Sequence, residues 1–244
     1  MADPALAAEV DAYRPVSFAR LSTWVRFLRR HGCREAIMVG RVKKHDNLHT
    51  RNQWLWTLKQ IPDWTTLWAY IRIIRRDRRS DTALLTAANL LSERGIELID
   101  STTYCSDQLA GDGVMGRIAP TPAQLGDIER GWSVCGFLTR EDVGQSVAVK
   151  DRDVIAVEAV EGTNRMIERA GELCRGGGWT LVKRANTRQD MRLDVPSIGV
   201  HTIEKLKSAG AACLCVEAGK VILLERHKVI EAADRLGIAV VGRG

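Results

Sequence analysis

Apolar positions recur at helical spacing early in the chain. In VSFARLSTWVRFLRRH (16–31), Phe18, Leu21, Trp24, Val25 and Leu28 fall on one face, and Gly32 follows as a stop. The apolar run EAIMVG (35–40) predicts a buried strand. DTALLTAANLLSERG (81–95) carries the stripe of an amphipathic helix and ends in glycine; IELID (96–100) reads as the next strand. Strand, helix and strand in this order predict an α/β layer on a parallel sheet.

Polar residues, glycine and proline dominate 106–121, which predicts a connection at a domain boundary. Beyond it, PAQLGDIERGWSVCGFL (122–138) has helical spacing. SVAVKDRDVIAVEAV (146–160) is two alternating strands about Asp151-Arg152-Asp153, the pattern of a hairpin. EGTNRMIERAGEL (161–173) predicts a helix, GGGWTLVK (176–183) leads into a strand, and SIGVHTIEKLKSAG (197–210) predicts a helix with Ser197 as its N-cap. AACLCVE (211–217) and KVILLE (220–225) read as strands, HKVIEAADRLG (227–237) as a helix and IAVVG (238–242) as a last strand. The chain thus divides into an N-terminal α/β domain over 1–110, a linker and connecting helix over 111–140, and a distinct C-terminal α/β domain over 141–244.

Composition narrows this reading. The 244 residues suffice for one large or two small domains, and 45% apolar with 27% charged residues is a globular balance. No apolar run approaches the roughly 20 residues that span a bilayer. MADPALAAEVD lacks the basic and apolar regions of a signal peptide. The six cysteines show no CxxC spacing and do not pair with histidines at ligand spacing, so they are expected to be reduced, zinc-free and cytoplasmic. The net charge of +6 is uneven. Residues 41–80 hold ten basic and three acidic residues, so the rest of the chain nets −1. A local basic patch of this kind meets an anion: phosphate, nucleic acid or a membrane surface.

Four groups of residues can carry chemistry. Asp194 sits in QDMRLDVPSIGVHTIEKL (189–206), just before a helix; an acid there either caps or pairs, or acts in catalysis or metal binding. The turns DVGQS (142–146), EGTNR (161–165), RGGGW (175–179) and SIG (197–199) are ordinary turns singly, but together they offer backbone N–H groups to a phosphate. Asp142, Glu158, Glu161 and Glu217 flank strands and form surface ion pairs or hold a divalent cation against a diphosphate; Lys183 ends a strand within reach of a phosphate oxygen. Trp54, Trp56, Trp64 and Trp68 among arginines suit a half-buried helix with a solvated basic face, a membrane interface, or base stacking.

The combination D-x-G-Q, E-G-T, R-x-D-x-P-x-I-G and E-A-G, in order over about 100 residues, resembles the LpxI-type UDP-2,3-diacylglucosamine pyrophosphatases of lipid A biosynthesis. The likeness extends more loosely upstream through GCREAIMVGRV and RRSDTALL. It implies a Rossmann-like N-terminal domain, a distinct C-terminal α/β domain, an acylated UDP-glucosamine substrate between them, and a homodimer. It implies hydrolysis of the substrate diphosphate to UMP and 2,3-diacylglucosamine 1-phosphate with a divalent cation, normally Mg2+. The family's essential aspartate falls on Asp194, with Arg192 and Pro196 in place. Asp194 is then the catalytic residue, as base, water-positioning group or metal ligand.

Gln145, Thr163 and the backbone at Gly144, Gly162 and Gly199 are the candidates for the nucleotide diphosphate, and Lys183 and Arg192 for phosphate charge. Asp194, Asp142, Glu158 and Glu217 are the candidate metal ligands. The Trp/Arg region is expected to contact the cytoplasmic membrane face, which makes the protein cytoplasmic and peripheral at the inner membrane. The resemblance also implies an apolar strand, a Gly-rich loop and a helix ahead of ADPALAAEV, so the Rossmann-like domain is expected to be truncated, with an exposed sheet edge. A non-catalytic nucleotide- or phospholipid-binding protein derived from such an enzyme is the alternative. Nucleic acid is not an expected partner, because the basic residues are confined to one segment without a recognition motif.

Overall fold

The computed structural model describes residues 4–17, 20–39, 63–69, 71, 80–186, 190–193 and 195–244. Phe18, Trp54, Trp56, the basic residues between 41 and 59 and between 72 and 79, and Asp194 lie outside the described residues. The chain forms two compact units. One holds residues 1–103 with 190–194, and the other holds 104–189 with 195–244.

In the first unit, α1 (Leu21–Arg30) turns Leu21 and Val25 inward. β1 (Glu35–Ala36) follows, then α2 (Trp64–Ala69), α3 (Ser80–Ser92) and β2 (Glu97–Leu98). β1 and β2 pair in parallel, Glu35 against Glu97 and Ala36 against Leu98, as the strand–helix–strand pattern predicts. Among the described residues of the strand expected over 35–40, only the first two are in β1. Val25, Leu84, Ala88, Leu91, Ile96, Leu98 and the distant Leu193 make the core. Leu193 arrives on a short return of the chain, fixed where Ser101 N–H donates to the Met191 carbonyl at 3.0 Å.

Asp63 stands at the start of α2. It accepts from the Thr66 N–H and hydroxyl, both at 2.8 Å, and from the Ser22 N–H at 2.8 Å and the Ser22 hydroxyl. It therefore caps α2 and ties it to α1. Burial pushes its carboxyl up, but the Ser22 and Thr66 hydrogen bonds outweigh burial and hold it below its ordinary 3.8. A carboxyl depressed on folding stabilises above its unfolded value and loses that contribution as pH falls through its folded one. Asp63→Asn keeps an acceptor for α2 but loses the charged oxygen to which Ser22 donates, at an expected cost of about 0.5–1.5 kcal/mol at neutral pH. The gap between melting curves of the two forms should be full above about pH 3.8 and close progressively below it, as pH falls through the lower folded value.

The second unit is a six-stranded sheet. Its elements are β3 (Gly113–Val114), α4 (Pro122–Arg140), β4 (Ser146–Lys150), β5 (Asp153–Val157), α5 (Thr163–Leu173), β6 (Trp179–Lys183), β7 (Ser197–Ile198), α6 (Val200–Ser208), β8 (Ala211–Glu217), β9 (Ile222–Leu223), α7 (Arg226–Leu236) and β10 (Ala239–Arg243). The sheet order is β3-β10-β8-β6-β4-β5. β6, β8 and β10 run in parallel, β4 is antiparallel to β6, and β5 returns antiparallel to β4 as the expected hairpin. Asp151 and Arg152 take φ of 52° and 65° at its turn, the left-handed pair that a tight hairpin requires. An arginine there costs about 1 kcal/mol.

Alternation along the strands feeds two cores. Leu181, Leu214 and Val240 pack against α5, α6 and α7. Val147, Val182, Cys213, Cys215 and Ala239 pack on the other face with Ile128 and Cys135 of α4. Burial pushes the Cys135, Cys213 and Cys215 thiols up to about 12, so they behave as small apolar residues. α4 lies close on the sheet because Gly131 has no Cβ; one would meet Val182 Cγ2 at 2.6 Å. Among the described residues, no helix is long and apolar enough to cross a membrane.

Three local expectations are corrected. The helix expected from 197 begins at Val200 with Gly199 as N-cap, because Ser197 and Ile198 pair with Ile222 and Leu223 in a small parallel sheet of their own. That pairing also removes 220–225 from the main sheet. The polar stretch 106–121 supplies β3, whose two exposed residues pair with the edge of β10 and carry no apolar signal.

Candidate functional site

β5, β6, β8 and β10 all end on one edge of the main sheet, and β4 begins there. The residues at these ends are Glu158, Lys183, Glu217, Arg243 and Ser146. The carboxyl ends of strands are where open α/β sheets hold ligands.

Lys183 is buried there, 5% exposed. Its ammonium donates to Thr163 Oγ1 at 3.1 Å and Ser146 Oγ at 3.3 Å. Thr163 in turn donates to Glu158 Oε1 at 2.9 Å. Glu158 Oε2 faces the ammonium at 4.0 Å, near enough for attraction and too far for a hydrogen bond. This oxygen is buried and has no hydrogen-bond partner among the described residues. Among the described residues, the cluster therefore holds a fixed cation with a third N–H, and a carboxylate oxygen, that have no hydrogen-bond partner. Ser146 was missed in the sequence; its position opposite Lys183 in the β4–β6 register is what finds it.

Two of the expected glycines shape this cluster. A Cβ on Gly144 would lie 2.0 Å from the Glu158 carbonyl oxygen, so glycine lets the two backbones meet. Gly162 takes φ 81° as N-cap of α5 and delivers Thr163 to the first turn. The Gln145 carbonyl accepts from the Arg184 N–H at 2.9 Å, which ties the start of β4 to the end of β6. Gly199 lies elsewhere in the unit; it is in ordinary extended backbone, and a Cβ would meet Leu224 at 3.9 Å.

The other candidates have different surroundings. Glu217 accepts from the Ala185 N–H at 3.0 Å and Lys220 at 2.8 Å, with Arg184 at 3.5 Å. Asp142 is exposed and accepts one long contact, 3.4 Å, from Asn186. Arg192 belongs to the first unit and grips Asp190 at 2.8 Å; that hydrogen bond holds the Asp190 carboxyl below its ordinary range. Glu161 pairs with Arg169 at 2.7 Å. Among the described residues, no three His, Cys, Asp or Glu side chains group at metal-binding distance. Magnesium takes one or two carboxylates and completes its shell with water and phosphate, and the open oxygen of Glu158 fits that use.

Sequence reading also missed Arg184. Its guanidinium lies 4.2 Å from the Trp132 ring centre, in a slot left by Gly136, and donates to the Trp132 carbonyl at 3.2 Å.

An α/β unit with a buried lysine and a carboxylate at the carboxyl edge of its sheet is the arrangement of proteins that hold anionic ligands at that edge. Comparison with known families is specific. The LpxI N-terminal domain matches residues 1–108 and the LpxI C-terminal domain matches residues 111–241. The chain belongs to the LpxI family. A relative from Caulobacter vibrioides, UDP-2,3-diacylglucosamine pyrophosphatase LpxI, is 31% identical over 251 residues, spanning 99% of this chain and 85% of its own.

Proposed function

We propose that the chain hydrolyses the diphosphate of UDP-2,3-diacylglucosamine to UMP and 2,3-diacylglucosamine 1-phosphate, a step of lipid A biosynthesis. The observation that carries this reading is the kinship, along 99% of the chain, with a relative bearing that name. The motif Arg192, Asp194, Pro196 stands intact within it. The reaction adds one water across a P–O–P bridge: one P–O bond breaks, and each product keeps a phosphate monoester.

Asp194 orients the water or takes its proton. Lys183 offers its open N–H to a phosphate oxygen, and Thr163 and Ser146 fix its position. Arg192, paired with Asp190, is a further candidate for phosphate charge. Bound Mg2+ supplies charge neutralisation on the diphosphate. Glu158 would hold it; Glu217 is the weaker candidate because Arg184, Lys220 and the Ala185 N–H already take its oxygens. The acylated substrate implies work at the cytoplasmic membrane face, and we take the protein as a cytoplasmic, peripheral homodimer.

The test is UMP release from the acylated UDP-sugar with Mg2+, before and after Asp194→Ala. The expected loss is about 10²–10⁴-fold, the worth of a proton-transferring or water-positioning group. Chelation of the metal should silence the unaltered chain. Folded, unaltered protein that releases no UMP would overturn the reading and leave a nucleotide- or phospholipid-binding role.

A further inference from the structure

The opposite end of β4 from Ser146 carries a second arrangement that hydrolysis at Lys183 does not use. Arg152 occupies a left-handed position of the β4–β5 turn, φ 65°, where glycine is the favoured residue. The surrounding chain accommodates this arginine in two ways. Asp127 of α4, buried at 1% exposure, accepts the Arg152 N–H at 2.7 Å and so anchors the turn. Gly126 leaves space for the side chain; a Cβ there would sit 2.8 Å from Arg152 Nε.

Arg152 lines a hollow of about 430 Å³ along the flank of α4 that reaches from this turn to Arg243 at the carboxyl end of β10, and Glu129, Leu125, Ile128 and Val241 line it too. That volume is within the range of small-molecule sites. Arg243 also lies 5.2 Å from the Trp132 ring centre. Among the described residues, neither Arg152 nor Arg243 has a carboxylate at ion-pair distance. Glu129 is the acid on the hollow's wall, so the lining carries two guanidinium groups against one carboxylate. A second hollow, of about 580 Å³, contrasts with it: its Arg117 and Asp234 neutralise each other at 3.2 Å.

We infer that the α4 hollow is an anion site that takes a phosphate monoester between Arg152 and Arg243. Guanidinium forks match phosphate oxygens, and an apolar floor of Leu125, Ile128 and Val241 suits a ligand with an organic part. Two sources share this chemistry: a nucleoside monophosphate and a sugar 1-phosphate.

The experiment is calorimetric titration of the full chain with UMP, with glucosamine 1-phosphate and with inorganic phosphate. It is repeated on Arg152→Gly and Arg243→Gln, with a melting curve for each. UMP is also a product of the proposed hydrolysis, so what assigns binding to the hollow is its loss in Arg152→Gly, at the far end of β4 from Lys183. At least one probe should bind, and each substitution should weaken it about tenfold or more. The strongest probe identifies the source. Arg152→Gly should melt no lower than the unaltered chain, because glycine relaxes the turn. Absence of binding by all three probes, or equal affinity in both variants, overturns the site. So does a lowered melting point in Arg152→Gly with Arg243→Gln unaffected, which would make Arg152 a packing residue.

Discussion

Lys183→Met is expected to abolish UMP release and to destabilise the second unit by about 3–5 kcal/mol, the cost of leaving a buried charge without its partner. The stranded group is Glu158, whose Oε2 already has no hydrogen-bond partner among the described residues and faces the lysine at 4.0 Å. Methionine fills a similar volume, so the loss reports charge and not space. The double variant Lys183→Met/Glu158→Gln separates the two roles. Removing both charges should restore most of the stability, as read in urea unfolding, while UMP release stays absent. Turnover in the double variant near that of the unaltered chain would make the pair structural and remove Lys183 from the phosphate site.

Gly144→Ala should be strongly damaging at the carboxyl edge. Its Cβ would lie 2.0 Å from the Glu158 carbonyl oxygen and 2.6 Å from the carbonyl carbon. Both are backbone atoms, and the Glu158 N–H donates to the Ser146 carbonyl at 2.9 Å, so the strand end cannot yield without opening that bond. Overpacking of this kind costs about 1–3 kcal/mol, and the rigid partner puts this case at or above the top of that range. Gly199→Ala is the contrast. Its nearest neighbour would be Leu224 Cδ1 at 3.9 Å, and the expected change is within about 0.5 kcal/mol. Denaturant midpoints of the two variants check the pair; similar shifts would show that the Gly144 contact relaxes freely.

The second unit was legible in the sequence because its elements are long and evenly marked. The hairpin at Asp151-Arg152 and the helix of 163–173 stand where alternation and spacing put them. Short elements were not legible. β3 is two exposed residues, and Ser197-Ile198 pair with a segment more than twenty residues later, so neither carries a periodic signal. Lys183 could be singled out as a lysine at a strand end, but Ser146 follows from register, and Arg184 with Trp132 from a helix–sheet contact across 52 positions. The sequence marks Gly144 as a turn; that Glu158 backbone lies against it is a tertiary fact. Arg192 pairs with Asp190, two residues before it, where the sequence reading gave it only to phosphate charge.

The return of residues 190–194 to the first unit has a practical consequence for anyone dividing this molecule. Neither half corresponds to a contiguous gene fragment. A clone ending at Thr103 would lack Leu193, which is 7% exposed in the first unit's core, and the Met191 carbonyl that receives the Ser101 N–H. A clone starting at Tyr104 would carry that same leucine with nothing to cover it. Faithful dissection calls for grafting the pentapeptide onto the shorter fragment and bridging its absence in the longer one with a flexible spacer.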